Sequence, residues 1–200
     1  DMDQSHATPV LVSGNSFLQK MIAAKPGWER LYFAHMRDVL ETAWNPTYMQ
    51  IWITRFTALM PSGAGNFAGF FTQISNYYNS LSSQLATRVA PAYPFAVTSG
   101  NETNATLSGT VTGNAWLDVF QIYLDGQDEP LTLTWTASGT GTNRTFSWSA
   151  NVPLEPGANP LTFLAYDFQG NLVGSNSVTI TSTAIGNPGA ATDLNIELVY

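Results

Sequence analysis

Two kinds of hydrophobic pattern divide the chain near residue 90. Before that point, apolar residues recur every three or four positions, which is the spacing of amphipathic helices. After it, apolar and polar residues alternate over short runs, which is the spacing of half-buried β-strands. The pattern predicts an α+β chain in which a helical region precedes an all-β region.

Four helices are predicted in the first region. The first begins at Asn15 or Ser16 and ends at Pro26-Gly27, and the last runs from about Asn66 to Arg88. The second has an apolar stripe formed by Trp28, Leu31, Tyr32, His35, Val39 and Leu40, with most of the charged residues opposite, namely Glu29, Arg30, Arg37, Asp38 and Glu41. Asn45-Pro46 begins the third, which ends before Pro61. These helices carry more aromatic residues than a bundle of this size needs, so we expect a neighbouring surface to cover some of them.

The second region is predicted to form seven short strands. Pro91-Ala92-Tyr93-Pro94 forbids a helix and marks the boundary. The strands are expected at about 95–98, 105–112, 117–124, 131–137, 145–151, 161–167 and 172–182, separated by turns rich in Gly, Asp and Asn. Strands with this spacing favour an immunoglobulin-like or fibronectin-like β-sandwich.

Three segments follow from these boundaries. Residues 1–90 form the helical region and residues 91–183 the sandwich. Residues 184–200 begin with a linker rich in Gly, Ala and Pro, and their last stretch, Leu194 to Tyr200, alternates like the first strand of a further domain. The chain is therefore expected to be a piece of a longer protein.

Charge and composition exclude several classes of function. Six basic residues face five acidic ones up to Val89, whereas from Ala90 onward Arg144 is the only basic residue against nine acidic ones. A region this acidic is a poor partner for nucleic acid or anionic lipid. The chain contains no cysteine, which removes disulfides and thiolate chemistry, and no apolar run approaches the ~18 residues that span a bilayer.

A pair of carboxylates at the start is the first candidate for chemistry. In Asp1-Met2-Asp3 they are one residue apart, and such a pair can share a divalent cation that in turn holds nucleotide phosphates. His6, three residues further on, is close enough in sequence to join a metal site. Acidic termini are nevertheless more often solvated than catalytic.

The order of the segments resembles the C-terminal part of the CotH kinase family. The resemblance rests on Asp1-Met2-Asp3-Gln4-Ser5, on the helix containing Trp28-Glu29-Arg30-Leu31-Tyr32, on Trp44-Asn45-Pro46-Thr47-Tyr48, and on the long helix ending at Arg88. It implies that residues 1–90 end an atypical secreted kinase lobe, that an immunoglobulin-like domain follows, and that residues 194–200 open a lamin-tail-like domain.

The same resemblance implies a cofactor and a location. Asp1 and Asp3 would bind magnesium, as the counterpart of the kinase Asp-Phe-Gly segment. The ATP-binding loop, its lysine and the catalytic base of such a kinase precede this segment, so magnesium and ATP belong only to a complete kinase. The location implied is secreted or in a bacterial cell envelope.

Three further groups of residues in the predicted sandwich are candidate sites. Asp125, Asp128 and Glu129 gather three carboxylates in one turn and could bind calcium, although acidic turns also serve solubility. Trp116, Trp135 and Trp148 could form an aromatic face that stacks on sugar rings, although tryptophans in strands more often fill the core. Asn101, Asn104 and Asn143 begin glycosylation sequons in predicted loops.

The sequence thus favours a structural or adhesive module of a secreted or envelope CotH-like protein, without complete kinase machinery. Its partner would be a protein or polysaccharide at the cell surface. The alternatives are a carbohydrate-binding accessory module, a self-associating subunit of an extracellular fibre, and a metal-dependent phosphotransfer part of a longer kinase. Whether the chain is an enzyme stays open at this point, with a non-enzymatic role favoured.

Overall fold

The computed structural model describes residues 20, 22, 24–60, 67–103 and 106–184. It contains the helices α1 (Pro26–Glu41), α2 (Pro46–Leu59) and α3 (Phe67–Ala86). Residues 20, 22 and 24 are also helical, and the predicted start of that first helix lies outside the described residues. Strands follow the helices, so the predicted α+β class, with the helices first, is confirmed.

Prolines start two of these helices. Pro26 opens α1 directly after Lys25, whose backbone is extended, so the predicted break at Pro26-Gly27 falls at the junction of two helices. Pro46 opens α2, and the Asn45 side chain caps it by accepting hydrogen bonds from the backbone N–H of Thr47 at 2.8 Å and of Tyr48 at 3.4 Å. The predicted boundary between the second and third helices is confirmed.

The β-region, residues 96–182, forms two antiparallel sheets. Its strands are β1 (Ala96–Glu102), β2 (Ser108–Asn114), β3 (Gln121–Leu124), β4 (Thr134–Ser138), β5 (Thr145–Pro153), β6 (Gly157–Tyr166) and β7 (Leu172–Ser182). One sheet has the order β1-β2-β5-β4, and the other has the order β3-β6-β7. All seven strands expected from the alternating pattern are present.

The two sheets share one hydrophobic core. Alternate residues of β2, β5, β3 and β6 point into it, so buried and more exposed positions succeed each other along these strands. Trp148 of β5 is 1% exposed and stacks on Phe95, with ring centroids 5.8 Å apart. Gly113 of β2 makes room for it, since a Cβ there would lie 2.6 Å from the indole ring. The core therefore depends on a large residue facing a glycine.

A second core joins the helical region to the β-region. Its buried members come from both parts of the chain: Phe33, Ala34, Leu85, Val89, Leu117 and Phe146. Leu117 and Phe146 are fully buried, and the helices α1 and α3 supply the side chains that cover them.

No helix among the described residues is long and apolar enough to cross a membrane.

Candidate functional site

The predicted magnesium residues, Asp1 and Asp3, lie outside the described residues, as does His6. Within the part of the chain that the structure describes, no group of three or more His, Asp or Glu side chains is placed to hold a metal ion. The magnesium site therefore stays a prediction that rests on the resemblance alone.

The predicted calcium residues lie in the segment after β3. Asp125, Asp128 and Glu129 are all exposed, and Gly126 turns the chain between them with a φ of +82°. They are not gathered into a ready-made metal cluster. Calcium binding here would need other oxygen ligands as well, and it stays a prediction.

The three tryptophans do not form an exposed face for sugars. Trp148 lies in the core between the sheets and is 1% exposed, so no sugar ring reaches it. Trp116 and Trp135 are half-buried and pack against the second core, and Trp116 donates its indole N–H to the Ala90 carbonyl at 3.0 Å. A sugar-stacking face made of all three rings is absent, because Trp148 fills the core between the sheets. For Trp148 the alternative that tryptophans in strands fill the core is the one that holds.

Two of the three sequon asparagines lie in the described residues, and Asn104 does not. Asn143 is exposed and ends the short 3-10 helix Gly141–Asn143. Asn101 is also exposed, but it belongs to β1 and not to the predicted loop, since it pairs with Thr110 of β2. The sequence misplaced it because β1 continues four residues beyond the predicted strand end.

A polar site links the two regions of the chain at the junction around Arg30 of α1. Its side chain is 2% exposed and crosses into the β-region, where it donates hydrogen bonds to three backbone carbonyls in the segment between β2 and β3. The acceptors are Ala115 at 3.5 Å, Trp116 at 2.5 Å and Val119. The guanidinium also lies 4.0 Å from the centroid of the Trp135 ring on β4.

Arg30 is a buried cation whose lost hydration is replaced by backbone carbonyl groups of the protein. Burial lowers its pKa to about 10, which still leaves the guanidinium charged at neutral pH. The three carbonyls replace the water that the charge loses, and the fork geometry of arginine suits several acceptors at once. A side chain bound in this way fixes both the position and the rotation of α1 against the β-region.

Further polar contacts surround Arg30. Glu29 forms an ion pair with Arg144 at 2.5 Å, and both side chains are about one-fifth exposed. The Tyr93 hydroxyl accepts a hydrogen bond from the Phe146 N–H at 2.8 Å, and burial raises the pKa of this hydroxyl. The Ala90 N–H donates to the Arg144 carbonyl at 2.8 Å. The linker between α3 and β1 is thus bonded to the β-region at two points, Ala90 and Tyr93.

The hydrophobic pattern did not reveal this junction, because Arg30 falls on the predicted solvent face of its helix. The buried face of α1 is formed by Arg30, Phe33, Ala34 and Leu40, whereas Trp28, Leu31 and Val39 are exposed. The spacing of three and four residues from Arg30 to Phe33 and Ala34 is a helical stripe too. The charge of Arg30 was the only reason not to predict this stripe as the buried face of α1.

A large apolar surface remains on α2. None of its residues is buried, and its exposed side chains include Tyr48, Ile51, Trp52, Phe56 and Leu59, the last of which is 81% exposed. Exposed apolar surfaces of this kind commonly mark contacts with another protein or domain. The expectation that a neighbouring surface covers some of the aromatic residues stays a prediction.

Comparison of the chain with family models, with curated proteins and with solved structures finds no match.

Proposed function

We propose that this chain is a structural module of a larger secreted or cell-envelope protein of the CotH-kinase-like kind. In this module a helical region and an immunoglobulin-like β-sandwich form one rigid unit. The observation that carries the proposal is the junction around Arg30, where a buried cation of α1 binds three carbonyls of the β-region. Flexibly tethered domains do not need such a contact.

The strand order supports an immunoglobulin-like sandwich. The orders β1-β2-β5-β4 and β3-β6-β7 are those of the constant-type immunoglobulin fold, in which strands A, B, E and D form one sheet and C, F and G the other. Two hallmarks differ, because the chain has no cysteine and its buried Trp148 lies on the fifth strand instead of the third. The support for an immunoglobulin-like sandwich is therefore the order in which the strands are connected.

The apolar surface of α2 supports a larger assembly. Its side chains carry a single charge, that of Arg55, and a surface of this kind suits another apolar surface. In the proposed parent protein, the rest of the kinase-like lobe would cover it. Asp1 and Asp3 would then hold magnesium only in that complete lobe, and this chain alone would act in structure or adhesion.

Limited proteolysis tests the rigid unit. The wild-type chain should resist cleavage in the linker between Ala86 and Ala96, because the linker is bonded to the β-region through Ala90 and Tyr93. Arg30→Met should make this linker the first cleavage site within the described residues, whereas Arg55→Met, on the exposed surface of α2, should not. Rapid cleavage of the wild-type linker into two stable fragments would show that the regions are merely tethered.

A further inference from the structure

A shallow hollow of about 550 Å³ lies on the outer surface of the sheet β3-β6-β7, away from the Arg30 junction. Its walls are formed chiefly by Gln121, Tyr123, Asp125, Asp128, Leu164 and Tyr166. This volume is in the range of small-molecule sites, which combine apolar surface with a few polar groups. The hollow holds none of the tryptophans that the sequence suggested for sugar binding.

Strand register brings the two tyrosines together. Gln121 pairs with Tyr166 and Tyr123 pairs with Leu164 across β3 and β6, so all four side chains share the outward face of the sheet. The tyrosine rings are half-buried and nearly perpendicular, with centroids 5.5 Å apart and an interplanar angle of 86°. The Tyr123 hydroxyl donates a hydrogen bond to Gln121 Oε1 at 3.1 Å, which steadies the amide.

The turn after β3 supplies the polar rim. The Asp125 N–H donates to the Thr162 carbonyl at 2.8 Å and the Gln127 N–H donates to the Leu124 carbonyl at 3.0 Å, so the turn is anchored to the sheet. The side chains of Asp125 and Asp128 are exposed at the edge of the hollow. Their carboxylates are acceptors for hydroxyl donors, and the Gln121 amide offers both donors and an acceptor.

Charge restricts the ligand further. No Lys, Arg or His lines the hollow, whereas two aspartates do. An anionic ligand such as a phosphate, a sulfate or a uronic acid would meet repulsion without a compensating cation. A neutral polyhydroxylated ligand avoids this penalty.

We propose that the hollow bounded by Tyr123 and Tyr166 binds neutral saccharide units of a polysaccharide. An aromatic ring offers a flat apolar surface to the C–H face of a pyranose, and Gln121, Asp125 and Asp128 offer hydrogen bonds to its hydroxyls. The site does not depend on the parent protein proposed above, because all of its residues belong to β3, β6 and the adjoining turns.

Affinity electrophoresis tests this site with laminarin, xylan, galactomannan, glycogen and, as the anionic counterpart, polygalacturonate. We expect at least one neutral polysaccharide to retard the wild-type chain. Tyr123→Ala and Tyr166→Ala should each raise the dissociation constant at least tenfold, equivalent to about 1.4 kcal/mol. Tyr48→Ala, which removes an exposed tyrosine from α2, is the matched control and should leave the retardation unchanged.

A second variant keeps the test decisive where a tyrosine substitution unfolds the sheet. Asp125 and Asp128 are exposed, so the double variant Asp125→Asn, Asp128→Asn should keep the wild-type thermal midpoint while binding several-fold more weakly. The proposal is overturned by any of three results: no retardation by the neutral polysaccharides, stronger retardation by polygalacturonate, or equal retardation of the folded hollow variants and the wild type.

Discussion

Arg30 shows how a single charged residue can define a junction. The three carbonyls it binds belong to a short irregular segment between β2 and β3, where no strand partner satisfies them in regular pairing. Buried carbonyls need donors, and an arginine reaching in from a packed helix provides several donors from one side chain. The contact therefore fixes the loop and the helix together.

Replacing Arg30 by methionine should destabilise the chain by about 2–4 kcal/mol. Methionine fills a similar space, but it removes the hydrogen bonds that Arg30 donates to the carbonyls of Ala115, Trp116 and Val119. The Ala115 and Trp116 carbonyls keep only long bonds of 3.4 Å, from the Tyr93 hydroxyl and the Val119 N–H. The stability of Arg30→Lys should lie between those of the wild type and Arg30→Met, because a single ammonium group cannot reproduce the spread of N–H donors on the guanidinium. Urea denaturation measures the differences in the free energy of unfolding.

Arg55→Met provides the control for that comparison. Arg55 is exposed on α2, with its guanidinium 5.5 Å from the Trp52 ring, so its loss should change the free energy of unfolding by no more than about 0.5 kcal/mol. Equal stability of Arg30→Met and Arg55→Met would mean that the junction contributes nothing to folding.

Glu102 should make the stability of the chain depend on pH under acidic conditions. Its carboxylate accepts hydrogen bonds from the Ser182 hydroxyl, from the Thr183 N–H and hydroxyl at 2.9 and 2.7 Å, and from the Ala184 N–H at 3.1 Å. These bonds, led by that of Ser182, lower the pKa of Glu102 from 4.5 to about 2. The carboxylate thus ties the end of β7 to β1.

The sign of the effect follows from this lowered pKa. Above pH 4.5 the carboxylate is charged in both states and its stabilising bonds are fully present. As the pH falls from about 4.5 towards 2, the unfolded chain takes up the proton first, so the free energy of unfolding decreases. Glu102→Gln should flatten that part of the curve, measured by urea titration at successive pH values. A slope unchanged in Glu102→Gln would assign the acid sensitivity to other carboxylates.

The hydrophobic pattern of the sequence predicted where helices and strands lie, but not which face of α1 is buried. Periodicity located α1, α2, α3 and all seven strands, since spacing of 3.6 or 2 residues is a local property. The buried face of α1 depends instead on what it meets. Because α1 packs against backbone carbonyls that need donors, the face that carries Arg30 is buried. The more hydrophobic stripe of Trp28, Leu31 and Val39 is exposed instead.

The candidate sites were predicted less well than the elements. Residue type left two roles open for the tryptophans, sugar binding and core packing, and Trp148 has the second, since it fills the space that Gly113 leaves free. The hollow at Tyr123 and Tyr166 depends on the register between β3 and β6, and two positions 43 residues apart in sequence carry no visible link before that pairing is known. Non-local pairing therefore separates what the sequence could and could not predict.

The exposed surface of α2 should make the chain associate in solution. Trp52 and Phe56 stack with centroids 6.0 Å apart and are 39% and 49% exposed, so they offer a continuous apolar patch. The double variant Trp52→Gln, Phe56→Gln should lower light scattering and the binding of an apolar dye. Its thermal midpoint should stay within a few degrees of the wild type, because neither ring is buried in the core.

Two outcomes of that experiment would say what covers α2. Discrete dimers or longer oligomers that the double variant abolishes would favour the self-associating fibre subunit. Weak, non-saturating scattering by the wild type would favour the proposal that another part of a larger protein covers this surface. A wild-type chain that stays monomeric and binds no dye would contradict the idea that this surface is adhesive.

The core shared by the helical region and the β-region should make the two regions unfold together. Phe33 of α1 is 3% exposed and packs in the same cluster as Leu117 and Phe146 of the β-region. Phe33→Ala should therefore cost about 3–5 kcal/mol and destabilise both regions, although the substitution lies in a helix. Met49→Ala truncates a half-buried side chain of α2 that belongs to neither core, and it serves as the control.

Circular dichroism at 222 nm reports mainly the helices. The change in tryptophan fluorescence on unfolding reports mainly Trp148 in the core between the sheets, because Trp28, Trp44 and Trp52 of the helical region are already exposed in the folded chain. In the wild type both should give one coincident thermal transition, because loss of the helices would expose Leu117 and Phe146 to water. Phe33→Ala should shift both transitions downward by the same amount. A helical transition that precedes the fluorescence transition, and moves alone in Phe33→Ala, would mean that the two regions fold independently and that the junction around Arg30 joins them only after each is formed.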